Sequence, residues 1–397
     1  MAGVGEPPIS RRIQRMLRLG TPVFQFFELT RRRVENAGAE ACDFMAGNPQ
    51  EMASREYVDA LHKWTDPQDR AWFAYKNSEP VAREAAAASL RQRLGIDFDP
   101  DDIAMTNAAI AALAVALRVI ADEGDEVVIM TPPHFLYEPL ILAAGATAVR
   151  VAVHPSSFDL DVDAIAAALT PRTRAVIVNT PHNPTGKVFP GETLRRLAAV
   201  LTEASERRRT IYLLSDEAYN RIVFDGRRFE SPAAYYPNTM LLYSYGKQLL
   251  APGERIGYIA LAPGIADRDL LRTALIVGQL ATGFAFPNAV LQYAVPDLER
   301  IDVDMESLQA RRDRMVTALR EIGYELHVPE ATFYLLPRSP LPDDREYCDL
   351  LAEENVFVMP GAMLESPGFF RISLTASDDM VERALPGFAR AFKHATG

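Results

Sequence analysis

Ala175-Val176-Ile177-Val178-Asn179-Thr180-Pro181-His182-Asn183-Pro184-Thr185-Gly186 joins a short apolar run to a loop of turn-forming residues. Four apolar residues, three of them β-branched, suit a buried strand, and the Asn-Pro and Thr-Gly pairs suit the turn that ends it. The pattern recurs. Ile211–Leu214 runs into Ser215-Asp216-Glu217-Ala218-Tyr219, and Met240–Tyr243 runs into Ser244-Tyr245-Gly246-Lys247. Toward the N-terminus, Ile103–Thr106 leads to Asn107 and an alanine-rich helical stretch reaching about Ala121, and Glu126–Met130 ends at Thr131-Pro132-Pro133. Toward the C-terminus, Pro252-Gly253-Glu254-Arg255 precedes Ile256–Leu261, an expected antiparallel strand. Short strands alternating with helical patterns predict an α/β fold with a mostly parallel sheet. Ligands of open α/β sheets sit at the carboxyl ends of the strands, where most of these polar residues fall.

After about Pro287 the pattern changes. A helical stretch at Leu308–Ile322 is followed by short strands around Thr332–Leu336, Val356–Met359 and Phe369–Leu374, then a helix over Met380–His394. The expected division is a large domain over 48–287 and a smaller α+β domain formed by 9–47 with 288–397. A chain of 397 residues is long enough for two cores.

The formal charge of −11 argues against a nucleic-acid surface. Cys42 and Cys348 lie far apart with no metal-binding spacing, and read as reduced buried thiols suited to a cytoplasmic protein. No metal site is expected. The N-terminus lacks an apolar signal core. The basic amphipathic stretch Ile9–Arg18 places Ile13, Met16 and Leu17 at helical spacing, which suits packing on a neighbouring domain or subunit. The apolar run Ala108–Leu117 is too short to span a bilayer, so no membrane partner is expected.

The separated polar residues supply an amine, a carboxylate, a phenol, an amide and two guanidinium groups. That set can hold pyridoxal 5′-phosphate (PLP) and an amino acid on it. Lys247 is the candidate amine for the cofactor's aldehyde, because burial beside cations favours the neutral, nucleophilic form. Asp216 is placed to keep the pyridine nitrogen protonated, and the protonated ring then acts as an electron sink. Tyr219 and Asn183 are candidates for the cofactor's phenolic oxygen. Ser244 and Arg255 suit the phosphate, joined by the backbone N–H groups of Ala108 and Ala109 at a helix start. Arg371, in Phe370-Arg371-Ile372-Ser373, suits a substrate α-carboxylate held by two parallel hydrogen bonds. Taken singly, each has a plain alternative: a turn residue, a core tyrosine, a surface charge.

In order along the chain, Asn-Pro-Thr-Gly, Asp-Glu-x-Tyr, Ser-x-x-Lys with Pro-Gly-x-Arg-x-Gly-Tyr, and Phe-Arg-Ile-Ser resemble the motifs of fold-type I PLP-dependent class I/II aminotransferases, the aspartate aminotransferase superfamily. Any one motif is weak, and four in order are specific. The resemblance runs from about Ile9 to the last helix. It implies the residue roles above, α-amino acid and 2-oxo acid substrates, a homodimer with sites at the subunit interface, and a loop around Gly47 near the substrate. Three positions depart from the family pattern. His134, with Phe135 next to it, occupies the slot of the aromatic ring that stacks on the pyridine. Ala108 stands where glycine is frequent. Either Phe73 or Tyr75 occupies the place of the tyrosine that reaches the partner's phosphate.

Amino transfer is the leading expectation. The same fold also runs lyase, decarboxylase and oxidase chemistry on amino acids, and pocket details choose among them. A PLP-sensing regulator needs a DNA-binding module, and no helix-turn-helix with a basic face fits ahead of Gly47. No strand leads into Gly-x-Gly-x-x-Gly, which removes a nicotinamide-binding reading. For the substrate side chain, Arg70 and Lys76 suit an acidic donor, whereas Phe284 and Phe286 suit an apolar one.

Overall fold

The computed structural model describes residues 8–397. Among them a seven-stranded sheet forms the centre: β1 (Ile103–Thr106), β2 (Glu126–Thr131), β3 (Thr147–Ala152), β4 (Thr173–Asn179), β5 (Tyr212–Asp216), β6 (Thr239–Ser244) and β7 (Gly257–Leu261). Their spatial order is β1-β7-β6-β5-β4-β2-β3. The strands from β6 through β3 pair in parallel, and β7 is antiparallel to both neighbours. The α/β expectation and the antiparallel strand therefore hold.

Side-chain alternation along each strand feeds two cores. Val127, Ile129, Ile177, Leu214 and Leu242 pack on one face with Leu113 and Leu117 of the helix Ala108–Ile120. Val128, Met130, Val176, Val178 and Leu213 pack on the other with Leu194, Leu197 and Leu201 of the helix Gly191–Arg207. Because both faces are covered, these strands read as continuous apolar runs. The strand β3 escaped the sequence reading. It is an edge strand bonded only to β2, mostly uncovered, and Arg150 interrupts its short apolar run.

The C-terminal region is a second layer. Tyr334–Leu335, Phe370–Ser373 and Met359–Pro360 form a small antiparallel sheet. The helices Met305–Ile322 and Asp378–Thr396 pack together over it, through Met315, Leu319, Phe388 and Ile372. Cys42–Asp43 pairs in parallel with Val356–Phe357, which ties the N-terminal segment to this region. The helix Ala289–Leu298 differs from the expected division at 287. Its Leu291, Ala294, Val295 and Leu298 share a core with Tyr57, Leu90, Tyr245 and Tyr258, on the side of the large sheet. The basic N-terminal stretch opens a 27-residue helix, Arg11–Ala37, whose N-cap Ser10 accepts from the Ile13 N–H. That helix packs on the helix Tyr137–Ala143, and its Val23 is buried with Met359 and Leu364.

Candidate active site

Sheet register assembles the site. β5 ends at Asp216, beside Asn179 at the end of β4. The side chain of Asn179 fastens both neighbours: its Nδ2 donates to the Asp216 carbonyl at 3.0 Å, and its Oδ1 accepts from the Asn183 N–H at 2.8 Å. On the other side, Thr106 of β1 and Ser244 of β6 both lie opposite Gly257 of β7. A Cβ at Gly257 would lie 2.9 Å from the Ala108 Cα and would also collide with the Tyr243 carbonyl. Glycine there lets the start of the Ala108 helix approach the end of β6.

Asp216 is buried, with its Oδ2 accepting from the Tyr137 hydroxyl at 2.5 Å and its Oδ1 from the Ala218 N–H at 3.3 Å. Burial raises its pKa, while Tyr137, the Ala218 N–H and the charge of Lys247 oppose the rise. Lys247 lies in the short helix after β6, with its Nζ 5.5 Å from the Tyr219 ring and 5.7 Å from the Phe333 ring. Both the amine and the carboxylate thus reach the mouth of the sheet from adjacent strand ends.

Arg371 is buried in the small sheet. Its Nη1 donates to Asn183 Oδ1 at 3.2 Å and its Nη2 to the Met45 carbonyl at 3.1 Å, while the guanidinium lies 4.1 Å from the Tyr334 ring centre. Asn183 Nδ2 in turn stands 3.5 Å from the Tyr219 hydroxyl. Arg371, Asn183 and Tyr219 therefore meet, although 188 positions separate Asn183 from Arg371. The Nε of Arg371 is a buried donor with no hydrogen-bond partner among the described residues. An unsatisfied buried donor leaves an acceptor to be found, and the buried Nε atoms of Arg83, Arg209, Arg221 and Arg312 share that state.

Ala108 and Ala109 are buried at the helix start, and Ala108 takes φ 68°, a left-handed conformation that favours glycine. Ser244 is buried at the end of β6. The side chain of Arg255 is exposed and turns back to donate to the Pro252 carbonyl at 2.7 Å. The protein contacts do not link it to Ser244. His134 stacks on Phe135, with ring centres 4.8 Å apart and planes 17° apart, and its Nδ1 accepts from the Leu136 N–H at 3.3 Å. Burial, followed by the charges of Lys247 and Arg371, pushes its pKa down to about 3. Gly47 leaves room for a phenol: a Cβ there would lie 2.5 Å from the Tyr334 hydroxyl oxygen. Arg70 is exposed, and Lys76 Nζ lies 4.0 Å from Glu79 and 5.5 Å from the Tyr293 ring.

Two residues of this constellation escaped the sequence reading, Tyr137 and Tyr334. Each stands near another aromatic in a largely apolar stretch, Tyr137 two residues after Phe135 and Tyr334 next to Phe333, and reads as core. A signal for Tyr137 lay in its place one turn beyond His134, at the head of a helix.

The residues from 39 to 388 match the family model "Aminotransferase class I and II". The chain belongs to this aminotransferase family. It is 30% identical over 399 residues to the aspartate/prephenate aminotransferase of Thermus thermophilus, covering 98% of this chain and 99% of the relative. It is 34% identical over 283 residues to a probable N-succinyldiaminopimelate aminotransferase of Mycobacterium tuberculosis, covering 68% of this chain and 69% of that one. Among solved structures, an amino transferase from Eubacterium rectale superposes with a TM-score of 0.91 at 28% identity, covering 99% of this chain and all of that one. The aspartate aminotransferase of Thermus thermophilus with maleate superposes with a TM-score of 0.82 at 27% identity, covering 97% of this chain and 100% of that one. The aminotransferase is a fold-type I enzyme that moves an amino group between amino and oxo acids, and its family works with PLP. No described helix is long and apolar enough to cross a membrane.

Proposed function

We propose that this aminotransferase binds PLP among Lys247, Asp216, Tyr219, Asn183, Ser244, Arg255, His134 and the start of the Ala108 helix, and takes an α-amino acid on Arg371. The meeting of Arg371, Asn183 and Tyr219, with Lys247 Nζ 5.5 Å from the Tyr219 ring, is the observation that carries this reading. When bound, PLP supplies an electrophilic carbonyl and an electron sink for the substrate Cα. The protein's part follows from its own groups. Arg371 fixes the carboxylate through two N–H donors, releasing its hydrogen bond to Asn183. Asp216 holds a positive charge on the pyridine nitrogen, and Tyr137 holds Asp216 ionised. Tyr219 and Asn183 donate to the phenolic oxygen. Ser244, the Ala109 N–H and a swung Arg255 hold the phosphate. Lys247 Nζ would take the proton from the substrate Cα and deliver it to the cofactor's C4′, with the reverse transfer in the second half-reaction.

A second copy of the chain completes the site in this reading. Tyr75 is 92% exposed and Phe73 62% exposed on the single chain, as suits residues that reach a partner. The buried free thiols Cys42 and Cys348 suit the reducing cytoplasm. Aspartate, the substrate in the names of several relatives, is the first amino donor to try.

The test is chemical. After incubation with PLP and borohydride reduction, peptide mapping of the wild type places the cofactor on Lys247. Lys247→Ala carries no such tag, and amino transfer from aspartate to a 2-oxo acid falls to background. A tag on another lysine, or persistent turnover in the variant, refutes the assignment.

A further inference from the structure

The helix Ala289–Leu298 ends against the two turns that carry Tyr219 and Lys247. A helix leaves its last carbonyls without intrahelical partners, and side chains of those turns take up carbonyls at this end and just beyond it. Gln248 Nε2 donates to the Leu298 carbonyl at 2.9 Å and to that of Ile301 at 2.8 Å, while its Oε1 accepts from the Tyr243 hydroxyl. Arg221 donates to the Glu299 carbonyl from Nη1 at 3.2 Å and from Nη2 at 3.1 Å. The Glu299 carboxylate then joins the two turns. Its Oε1 accepts from the Tyr245 hydroxyl at 2.5 Å and its Oε2 from Arg221 Nη2. The side chains of Arg221 and Glu299 are only 4% and 7% exposed, so water does not compete for these bonds. Tyr245 stands two residues before Lys247, and Arg221 two residues after Tyr219.

We propose that Glu299 is a positioning residue: its buried carboxylate sets the placement of Lys247 against Tyr219 by holding Tyr245 and Arg221 together. The inference deepens the PLP reading above and rests on it for the roles of the two residues it places.

The chemistry of the joint calls for a carboxylate. Donors arrive from two turns, and a carboxylate offers an acceptor oxygen to each, where an amide has one. Lys247 belongs to a helix of four residues, Tyr245–Gln248. A helix that short does not hold itself in water, so its placement depends on what its side chains meet. Tyr245 and Gln248 anchor it on either side of Lys247 to the same stretch of chain, residues 298–301. Arg221 anchors the Tyr219 turn to that stretch as well, and its Nη1 also donates to Asp302 Oδ1 at 3.0 Å. The guanidinium therefore keeps one anionic partner when Glu299 is neutralised.

The test cuts the joint without removing a group from the site. Tyr245→Phe keeps the ring and deletes the donor, and Glu299→Gln leaves one acceptor for two donors. Glu299→Asp, which keeps the charge and shortens the reach, takes the place of Glu299→Gln where that chain does not fold. Tyr57→Phe is the control: it lies in the same core as Tyr245, and its buried hydroxyl has no hydrogen-bond partner among the described residues. The first readout uses the cofactor-free chain. Trinitrobenzenesulfonate labels amines, and peptide mapping follows Lys247. Its labelling rate rises about threefold or more in Tyr245→Phe and in the Glu299 variant, as the freed amine meets more water, and stays at the wild-type value in Tyr57→Phe. The second readout uses the PLP-loaded enzyme. In Tyr245→Phe, kcat per bound cofactor falls about tenfold while KM for the amino donor stays within about twofold, because Arg371 is untouched. The double variant of Tyr245 and Glu299 is only as slow as the Glu299 variant alone, since both changes break one contact. Wild-type labelling of Lys247 in Tyr245→Phe overturns the inference. So does an equal change in Tyr57→Phe, an unchanged kcat in Tyr245→Phe, or losses that add in the double variant. A wild type that takes up no PLP refutes the cofactor reading instead, and the labelling rates still decide this one.

Discussion

Tyr137 donates its hydroxyl to Asp216 Oδ2 at 2.5 Å, and both side chains are buried. The relationship is asymmetric in its effect on charge. Burial pushes the carboxyl up and the phenol far up, so the shared proton stays on Tyr137 and the negative charge on Asp216. In the proposed reading, where Asp216 would face the pyridine nitrogen, Tyr137 is the neighbour that keeps the carboxylate ionised.

Tyr137→Phe removes that support and leaves the aromatic packing. A hydrogen bond to a charged group is worth about 1.5–3 kcal/mol, so amino transfer falls by roughly ten- to a hundredfold near neutrality. The sign with pH is fixed. Activity needs the ionised carboxylate, Tyr137 lowers its pKa, and its loss moves the acid limb of kcat/KM to higher pH. A variant with the wild-type acid limb shows that Asp216 does not depend on Tyr137.

Ala108 reads differently once its backbone is known. A left-handed L-residue costs about 1–2 kcal/mol. Glycine would relieve that, but loses about 0.8 kcal/mol of buried methyl and about 0.5–1 kcal/mol of chain entropy. The terms offset. Ala108→Gly therefore leaves stability within about 1 kcal/mol of wild type, while the β-branched Ala108→Val loses roughly 2 kcal/mol or more. Urea denaturation of the three proteins checks this, and an Ala108→Val chain as stable as wild type contradicts the assigned conformation.

The sheet was legible because each covered parallel strand is a continuous apolar run, and the site because its polar residues fall where those runs end. Asp216, Asn183, Tyr219 and Arg371 needed no contact information to be singled out. Tyr137 and Tyr334 did. Their place in the site depends on which groups they meet, Asp216 for Tyr137 and Arg371 for Tyr334, and a tyrosine in an apolar stretch has the same sequence signature whether it fills a core or reaches a charge. The division at 287 puts Ala289–Leu298 with the smaller domain, whereas its apolar face packs on the side of the large sheet; the end of strand–helix alternation does not show which sheet receives the next helix. β3 is harder to read because Arg150 splits its four apolar residues into two pairs.

His182 supplies a pH prediction away from the proton chemistry. It is buried, its Nε2–H donates to the Pro132 carbonyl at 3.1 Å, and its Nδ1 accepts from the Thr185 hydroxyl at 2.8 Å. The bond accepted at Nδ1 needs the neutral ring, whereas the bond to Pro132 favours the charged one; burial outweighs it and pushes the pKa down to about 4. In the unfolded chain the imidazole titrates near 6.5. The folded pKa is depressed, so the contribution is complete above about pH 6.5 and is lost as pH falls toward about 4. Between about pH 7.5 and 5 this one group removes about 2 kcal/mol. Denaturant titrations at the two pH values should show a loss larger by that amount in wild type than in His182→Gln. Equal losses remove His182 from the account of acid sensitivity.

By the family resemblance His134 falls in the slot of a stacking ring, and stacking and proton transfer predict different pH behaviour for it. Burial and the charges of Lys247 and Arg371 hold its pKa at about 3, and its Nδ1 is engaged by the Leu136 N–H. A group in that state stays neutral at every pH at which the enzyme is assayed, so it presents a flat imidazole face and no exchangeable charge. His134→Phe supplies a larger face in the same place. The expected outcome is retained PLP, most of the amino-transfer rate, and a pH–rate profile that superimposes on wild type from about pH 5 to about 9. His134→Ala removes the face. A stacked aromatic pair contributes about 0.5–1.5 kcal/mol, so equilibrium dialysis should find PLP bound about two- to twelvefold more weakly. A proton-moving histidine gives the reverse pattern: His134→Phe loses one limb of the pH profile and one half-reaction slows, while His134→Ala holds the cofactor as tightly as wild type. Unaltered PLP affinity in His134→Ala would pass the stacking role to Phe135, whose ring lies nearly parallel to the imidazole 4.8 Å away.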